Sequence, residues 1–405
     1  MLEKIASEFG TPCFVYDLDA VRQRAAAITA AFGGRFRLSY AVKANSNNRV
    51  LRHLKGVVET LDVSSGGELQ RASLAGWDPG LVSFTGPGKT DAELQAAVDN
   101  RIGYVIIESV SEAQRLSAIA ARAGVVQPIL ARIAPAMIPA GFGVGMAGKP
   151  CQFGIDEEDS AAAMSDILAM RQITLKGLHI YSGTQCLRPD ALVHNYENFI
   201  QIFRRLCSQF NLQPERLIFG SALGVPYHLE DKPLDLAEVA GLTNPRLDSL
   251  RAEERFTQTT FSLELGRYLI GEAGRYLTRV LCIKRSRGVD ICVCDGGMNH
   301  HLAACGHLGA VIPRNYRISK LSADADDELQ PYEVVGPLCT TIDRLARNVR
   351  LPKLAAGDVL AIECSGAYGL TASPIHFISH APPKEIALET VDGTKKAEEI
   401  TERPI

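Results

Sequence analysis

No long run of lysine or arginine occurs in this 405-residue chain, whose 43 basic residues stand against 46 acidic ones for a net charge of −3. That sets nucleic acid aside as a partner, because neutralising a phosphate backbone needs clustered Lys and Arg. There is no apolar run long enough to span a bilayer, and Met1-Leu2-Glu3-Lys4-Ile5-Ala6-Ser7-Glu8-Phe9-Gly10 lacks the apolar stretch of a secretory signal. The chain reads as cytoplasmic, with no membrane partner. The ten cysteines show no C-x-x-C spacing, which suits reduced thiols better than a disulfide framework. Cys292 and Cys294 face one way along a strand-like run but lie too close in sequence for a sound bridge. His300, His301 and His307 lack a carboxylate or cysteine at ligand spacing, so no metal is expected. Also missing is the glycine-rich turn that an open doubly wound sheet carries after its first strand; Lys43-Ala44-Asn45-Ser46 stands there instead.

With 46% hydrophobic and 22% charged residues, the chain has the composition of an ordinary soluble protein, long enough for one large domain and a smaller one. From Phe36 to Leu265, short apolar runs alternate with amphipathic stretches such as Asp91–Val98 and Asn195–Phe203, the pattern of repeated β-α units. Eight strand candidates end near Lys43, Ser64, Thr85, Glu108, Arg132, Tyr181, Ser221 and Leu265. The pattern predicts a (β/α)₈ TIM-type barrel over residues 25–265, close to the usual size of about 250 residues. After Arg267 the runs Val289–Asp295, Tyr332–Pro337 and Asp358–Cys364 predict a β-rich second domain over 266–385, joined by residues 1–24 through Cys13–Asp17. Residues 386–405, with the charged stretch Lys395-Lys396-Ala397-Glu398-Glu399, read as a mobile tail.

Lys43 ends the first strand candidate, and a lysine at a barrel mouth is placed to form a Schiff base with a carbonyl group. Alone it would be a solvated charge, as most strand-end lysines are. A lysine-bound pyridoxal phosphate also needs a phosphate cradle, a partner for its ring nitrogen and a proton donor. Gly220-Ser221-Ala222 follows the seventh strand, where barrels commonly bind phosphate; the alternative is an ordinary strand-to-helix turn. In Glu264-Leu265-Gly266-Arg267 the carboxylate suits a cationic ring nitrogen and the arginine a phosphate oxygen, unless the two form a surface ion pair. Cys339, in Gly336-Pro337-Leu338-Cys339-Thr340-Thr341-Ile342-Asp343, is either a proton donor or a small buried hydrophobe. Tyr368, between small residues, offers a hydroxyl to phosphate or is simply a packed tyrosine.

On these residues the chain resembles the fold-type III, alanine-racemase-barrel class of pyridoxal-phosphate decarboxylases, which includes diaminopimelate, ornithine and arginine decarboxylases. The resemblance covers nearly the whole chain. It rests on Tyr40-Ala41-Val42-Lys43-Ala44-Asn45, Asp62-Val63-Ser64-Ser65-Gly66-Gly67-Glu68, His179-Ile180-Tyr181-Ser182-Gly183, Glu264-Leu265-Gly266-Arg267, Asp295-Gly296-Gly297-Met298-Asn299, Gly336-Pro337-Leu338-Cys339 with Asp343, and Gly366-Ala367-Tyr368-Gly369. It implies that Lys43 carries pyridoxal 5'-phosphate, that His179 stacks on its ring and that Glu264 pairs with the ring nitrogen. Ser182, Gly220, Ser221, Ala222, Gly266, Arg267 and Tyr368 would hold the phosphate. Cys339 would return a proton to the α-carbon, with Asp343, Thr340 and Arg132 as substrate contacts. The implied assembly is a homodimer with shared active sites, Cys339 and Asp343 coming from the second subunit.

The departures from the family pattern concern substrate. Thr340 stands where diaminopimelate decarboxylases carry Glu, Leu265 replaces a proline, Gly220-Ser221-Ala222 replaces three glycines, and the loop before Gln185 is longer by two residues. Phe84-Thr85-Gly86-Pro87-Gly88-Lys89 and Gly336-Pro337-Leu338-Cys339-Thr340 are similar to a secondary-metabolism branch, one member of which decarboxylates a glutamyl group on an acyl carrier protein. The expected activity is α-decarboxylation of an amino acid or a carrier-linked aminoacyl conjugate. Diaminopimelate decarboxylation is the alternative within the class. A racemase on the same barrel would need a second base and lacks a use for Cys339, and a non-catalytic cofactor-binding protein would not need the β-rich domain.

Overall fold

The computed structural model describes residues 1–307, 314–324 and 327–402. Two compact units emerge, one of Gln23–Gly224 with Leu234–Gly266, the other of Met1–Arg22, Val225–Pro233 and Arg267–Ile405. Among the described residues no helix is long and apolar enough to cross a membrane.

The first unit is a closed parallel barrel. Its strands are Arg37–Ala41, Thr60–Val63, Val82–Phe84, Tyr104–Ile107, Gln127–Ala134, Ile173–Ile180, Arg216–Gly220 and Thr260–Leu265. Each pairs in parallel with the next, and the ring closes where Leu265 stands opposite Tyr40. Every strand ends within about two residues of the position read from the sequence, because apolar runs that switch to a polar or small residue mark the point where a buried strand reaches the barrel rim.

Helices cover the ring, and their ends follow local chemistry. Asp91–Asp99 opens with Thr90 and Glu93 in a reciprocal capping box, and Val110–Ala123 closes at Gly124 in the left-handed region. The amphipathic helix Pro189–Gln209 buries Leu192, Tyr196, Phe199, Phe203 and Leu206. The Phe219 ring of the seventh strand lies 5.1 Å from Phe203 and 5.2 Å from Phe36, so strand and helix are locked by edge-to-face aromatic packing.

The second unit is built on strands. Gly274–Ser286 is its long central strand, pairing antiparallel with Cys13–Asp17, Val289–Cys294 and Val359–Ile362. Ile5, Cys13, Val15, Leu277, Ala361, Ile386 and Leu388 make its apolar core. Val225–Pro233 belongs to this unit rather than to the barrel span assigned from the sequence, and the Tyr227 ring lies 4.6 Å from that of Tyr316.

The expected mobile tail is a correction. Lys384–Val391 pairs in parallel with Cys13–Asp17, and Thr394–Glu399 folds back on it as a hairpin. Ile386 and Leu388 enter the core, while Lys395 reaches Asp17 at 2.6 Å and Lys384 reaches Glu399 at 3.1 Å, so two of the charges that suggested a solvated tail, Lys395 and Glu399, are paired along the sheet. Residues 403–405 of that expected tail lie outside the described residues.

Cys292 and Cys294 are both buried, with sulfurs 3.8 Å apart. His300 and His301 take separate partners, the Tyr276 hydroxyl at 3.1 Å and Ser365 Oγ at 2.9 Å.

Candidate active site

Strand alternation builds the barrel mouth. Residues two apart on a strand face the same way, so Glu108 follows Ile106, Arg132 follows Leu130 and Gly220 follows Ile218. Ile106, Leu130 and Ile218 form one buried apolar cluster. The polar layer at the strand ends therefore rests on a dry floor, where charges interact strongly and unpaired ones are costly.

Lys43 sits in the tight turn Val42–Ala44 that ends the first strand, half-buried, with Nζ 5.7 Å from the centre of the Tyr181 ring. His179 and Glu264, both buried, meet at 2.9 Å between Nε2 and Oε2. Burial works to raise Glu264, but the His179 bond and the charges of His179, Lys43 and Arg132 draw its carboxyl down to about 2. Burial also lowers His179, against the pull of Glu264. The pair is thus a neutral imidazole donating Nε2–H to a carboxylate, which leaves Nδ1 a buried acceptor with no hydrogen-bond partner.

Asp62, on the second strand, accepts the hydroxyls of Ser83 at 2.8 Å and Thr85 at 2.5 Å on Oδ1, while Oδ2 is buried without a hydrogen-bond partner among the described residues. Burial first and the charge of Glu264 second push its carboxyl up to about 8, against the opposing pull of Lys43 and the two hydroxyls.

Arg132, expected to contact substrate, is otherwise engaged. Its Nη1 lies 3.0 Å from both oxygens of the buried Glu108, and its guanidinium packs 4.9 Å from the centre of the Phe153 ring. Glu108 also accepts the backbone N–H groups of Gly86 at 2.8 Å and Gly154 at 2.9 Å.

The turn after the seventh strand needs its small residues. A Cβ at Gly220 would fall 2.4 Å from Cδ2 of Tyr181, the ring beside Lys43. Ser221 N donates to the Glu264 carbonyl at 3.1 Å, and Ala222 is held at φ +56°, a left-handed conformation that costs an alanine about 1–2 kcal/mol. Such strain collects where a turn must present its backbone. Ser182 donates its hydroxyl to Asn195 Oδ1 at 2.7 Å, so that proton is already committed.

Arg267, Tyr368, Cys339, Thr340 and Asp343 belong to the β-rich unit. Arg267 Nη1 donates to the Tyr227 hydroxyl at 2.7 Å, its guanidinium lies 4.8 Å from the centre of the Tyr368 ring, and its Nε is buried without a hydrogen-bond partner among the described residues. Burial works to lower its pKa, and the surrounding Tyr227, Tyr368 and Tyr316 reverse the direction. Tyr368 itself stands at φ +55°. Gly266, between Glu264 and Arg267, is half-buried at the end of the barrel unit.

Cys339 is exposed, at the centre of a tight turn in which Thr340 N donates to the Leu338 carbonyl at 2.8 Å. Asp343, expected to contact substrate from the second subunit, is bonded within its own chain by two backbone N–H groups. The residue is 3% exposed, and its carboxylate oxygens accept Met298 N at 2.6 Å and Leu338 N at 2.8 Å.

Four residues of this arrangement had no role assigned from the sequence. Asp62 and Glu108 carried a signal, since each is an acid at a strand end that faces a barrel mouth. Asn195 reads as one polar position on an amphipathic helix, and Tyr227 lies in a segment that reads as loop.

An amine at a strand end, a carboxylate held anionic, a strained small-residue turn and orphaned polar atoms on Asp62 and His179 fit a planar, phosphate-bearing carbonyl cofactor. Residues 18–271 match the family model described as pyridoxal-dependent decarboxylase, pyridoxal binding domain. The chain is 32% identical over 385 residues to the L-glutamyl-[BtrI acyl-carrier protein] decarboxylase of Niallia circulans, covering 94% of this chain and 90% of that one. It is 29% identical over 404 residues to the 2-[(L-alanin-3-ylcarbamoyl)methyl]-2-hydroxybutanedioate decarboxylase of Staphylococcus aureus, covering 96% and 97%. The crystal structure of diaminopimelate decarboxylase from Helicobacter pylori complexed with L-lysine aligns with a TM-score of 0.86 at 26% identity, covering 100% of this chain and 97% of that one.

Proposed function

The chain belongs to the pyridoxal-dependent decarboxylase family, and from that premise we propose that its substrate is an L-amino acid carried as a conjugate, such as an aminoacyl group on a carrier protein, rather than a free diamino acid. It is a carboxy-lyase that uses pyridoxal 5'-phosphate. The cofactor, when bound, supplies an electron sink for the pair left behind as CO₂ departs.

The chain's own residues supply the rest. Lys43 is the amine that holds the cofactor. Glu264, kept anionic in a buried site, is suited to keep a proton on the ring nitrogen, and neutral His179, which also donates Nε2–H to that carboxylate, is suited to lie against the ring. Gly220, Ser221, Ala222 and Gly266 are the phosphate-binding candidates of the barrel unit, Arg267 and Tyr368 those of the β-rich unit, and Ser182 donates to Asn195 Oδ1. Cys339 delivers a proton to the α-carbon. The enzyme acts as a homodimer in which the Cys339 loop of one subunit serves the barrel of its partner.

One observation carries the substrate choice: the Gly336–Asp343 loop has no carboxylate to spare. Asp343 is its single acid, and both oxygens are taken by backbone N–H groups. Burying a distal ammonium there without its partner costs roughly 3–5 kcal/mol, a large part of the about 8 kcal/mol of a micromolar complex. The relative that acts on a glutamyl group of an acyl-carrier protein supports the same choice.

The test is CO₂ release by the cofactor-loaded protein on meso-diaminopimelate, lysine, ornithine, arginine, glutamate and a glutamyl carrier-protein thioester. Turnover of the thioester and not of the diamino acids is expected. Turnover of diaminopimelate would overturn the proposal and favour the second reading, a diaminopimelate decarboxylase, for which the structural likeness speaks.

A further inference from the structure

Asp343 is a buried acid of the β-rich unit, and its carboxylate is held by the backbone of two separate segments. Oδ1 takes the N–H of Met298 and Oδ2 that of Leu338. Two glycines make room for it. A Cβ at Gly297 would fall 2.1 Å from Oδ1, and one at Gly336 would fall 2.5 Å from Oδ2. The same hypothetical Cβ atoms would also strike the opposite glycine's Cα, at 2.7 and 2.5 Å, so the two backbones meet face to face with the carboxylate between them.

The consequence falls on Cys339. The peptide that donates to Oδ2 is that of Leu338, immediately before the cysteine, and the next N–H, of Thr340, returns to the Leu338 carbonyl at 2.8 Å. Cys339 is therefore the middle residue of a three-residue turn whose entry is pinned by a charge-assisted bond. Chain reversal at the pinned turn leaves Cys339 exposed while Leu338 and Asp343 are buried.

We propose that Asp343 is a positioning residue for the Cys339 thiol, acting through the Gly297–Asp343–Gly336 clamp, and not a ligand of the substrate. The proposal deepens the functional reading above and rests on the proton-delivery role given there to Cys339.

Asp343→Asn keeps the shape but turns one carboxylate oxygen into an N–H donor facing a backbone N–H, so one arm of the clamp is lost and a donor is stranded. Gly336→Ala displaces the carboxylate without removing it and serves where the first variant fails to fold. The first readout needs no substrate: peptide-resolved alkylation of the cofactor-loaded, full-length protein. The expected result is a change of about threefold or more in the Cys339 rate, with the exposed Cys151 and Cys282 as unchanged controls. An unaltered Cys339 rate in both variants would overturn the proposal.

The second readout is kinetic, on whichever substrate releases CO₂. A fall in kcat of about 10- to 100-fold with KM nearly constant is expected, the scale of loss from a small misplacement of a reacting group. Adding Asp343→Asn to Cys339→Ala should cost nothing more. A rise in KM with kcat preserved would make Asp343 a substrate ligand and overturn the proposal, as would additive losses in the double variant. Failure of the functional reading looks different: Cys339→Ala would then turn over normally, while the alkylation result would still report on the clamp.

Discussion

Asp62→Asn is the substitution whose effect on stability the structure determines most directly. An unfolded aspartate ionises near 3.8, whereas in the fold burial, and then the neighbouring charge of Glu264, hold the Asp62 carboxyl protonated up to about 8. Between those pH values the native protein keeps a proton that the unfolded chain has lost, so native stability falls as pH rises and levels off above about 8. At about 1.36 kcal/mol per pH unit the interval sets a ceiling of roughly 6 kcal/mol, and a loss of a few kcal/mol is expected. Asparagine keeps an acceptor for the hydroxyls of Ser83 and Thr85 and has nothing to ionise. Urea unfolding of cofactor-free protein, wild type and Asp62→Asn, from pH 5 to pH 9, provides the comparison. The variant should gain on the wild type steadily up to about pH 8 and hold a constant lead beyond it. Parallel pH profiles for the two proteins would refute the reasoning, because they would mean that Asp62 ionises in the fold as it does in the unfolded chain.

Lys43→Ala should abolish the near-visible absorbance of the lysine-bound cofactor, read in a simple absorption spectrum; an unchanged spectrum would remove Lys43 from its proposed role. Cys339→Ala should bind cofactor normally while turnover slows or protonation goes astray, and normal kinetics with a normal product would make Cys339 a packing residue. Arg132→Leu should lower the urea midpoint by the equivalent of about 3–5 kcal/mol, since it strands the buried Glu108. Replacing Glu108 by leucine as well should recover only part of that loss, because the N–H groups of Gly86 and Gly154 then lose their acceptor, and a single variant as stable as the wild type would show that Glu108 is not dependent on the pair.

The barrel was legible because its signal is periodic: each strand is a short apolar run, and Glu108, Arg132 and Glu264 fall at strand ends where a barrel collects its chemistry. Lys43, His179 and Glu264 do meet around that mouth, as far as the His179–Glu264 bond and the charge of Lys43 on Glu264 show. What the sequence concealed is partnership. Nothing in the spacing of Arg132 and Glu108, 24 residues apart, says that one neutralises the other. Nor does a four-residue step from Cys339 to Asp343 reveal that the carboxylate turns inward to two backbone N–H groups rather than outward to a substrate. The tail misled for a related reason. Its lysines and glutamates look solvated in one dimension, yet Lys395 pairs with Asp17 and Glu399 with Lys384, beside a hairpin whose Ile386 and Leu388 lie in the core. Segment Val225–Pro233 carries no periodicity, and its place in the β-rich unit comes from Tyr227 packed against Tyr316 and from long-range polar contacts such as Arg317 to the His228 and Asp231 carbonyls and Arg314 to Glu230 and Asp231.

Cation count explains why one carboxyl at the barrel mouth keeps its proton. Arg132 is paired with Glu108 and its charge also acts on Glu264, Arg71 acts on Glu68, and Lys43 acts on Asp62, Glu68 and Glu264 alike. Glu264 has the imidazole N–H of His179 as well, and Glu68 accepts Ser64 N at 2.6 Å; Asp62 has two neutral hydroxyls on one oxygen and no hydrogen-bond partner among the described residues on the other. In a low-dielectric layer the acid with the weakest support stays neutral. Removing Lys43 removes the charge that opposes burial at Asp62, so in Lys43→Ala the levelling-off of stability should move above pH 8. The same urea series that compares wild type with Asp62→Asn measures it, with Lys43→Ala and the Lys43→Ala/Asp62→Asn double variant as the second pair. A levelling point that stays in place, or moves down, would show that Lys43 does not reach the Asp62 carboxyl through the interior, and that burial and Glu264 alone hold the proton.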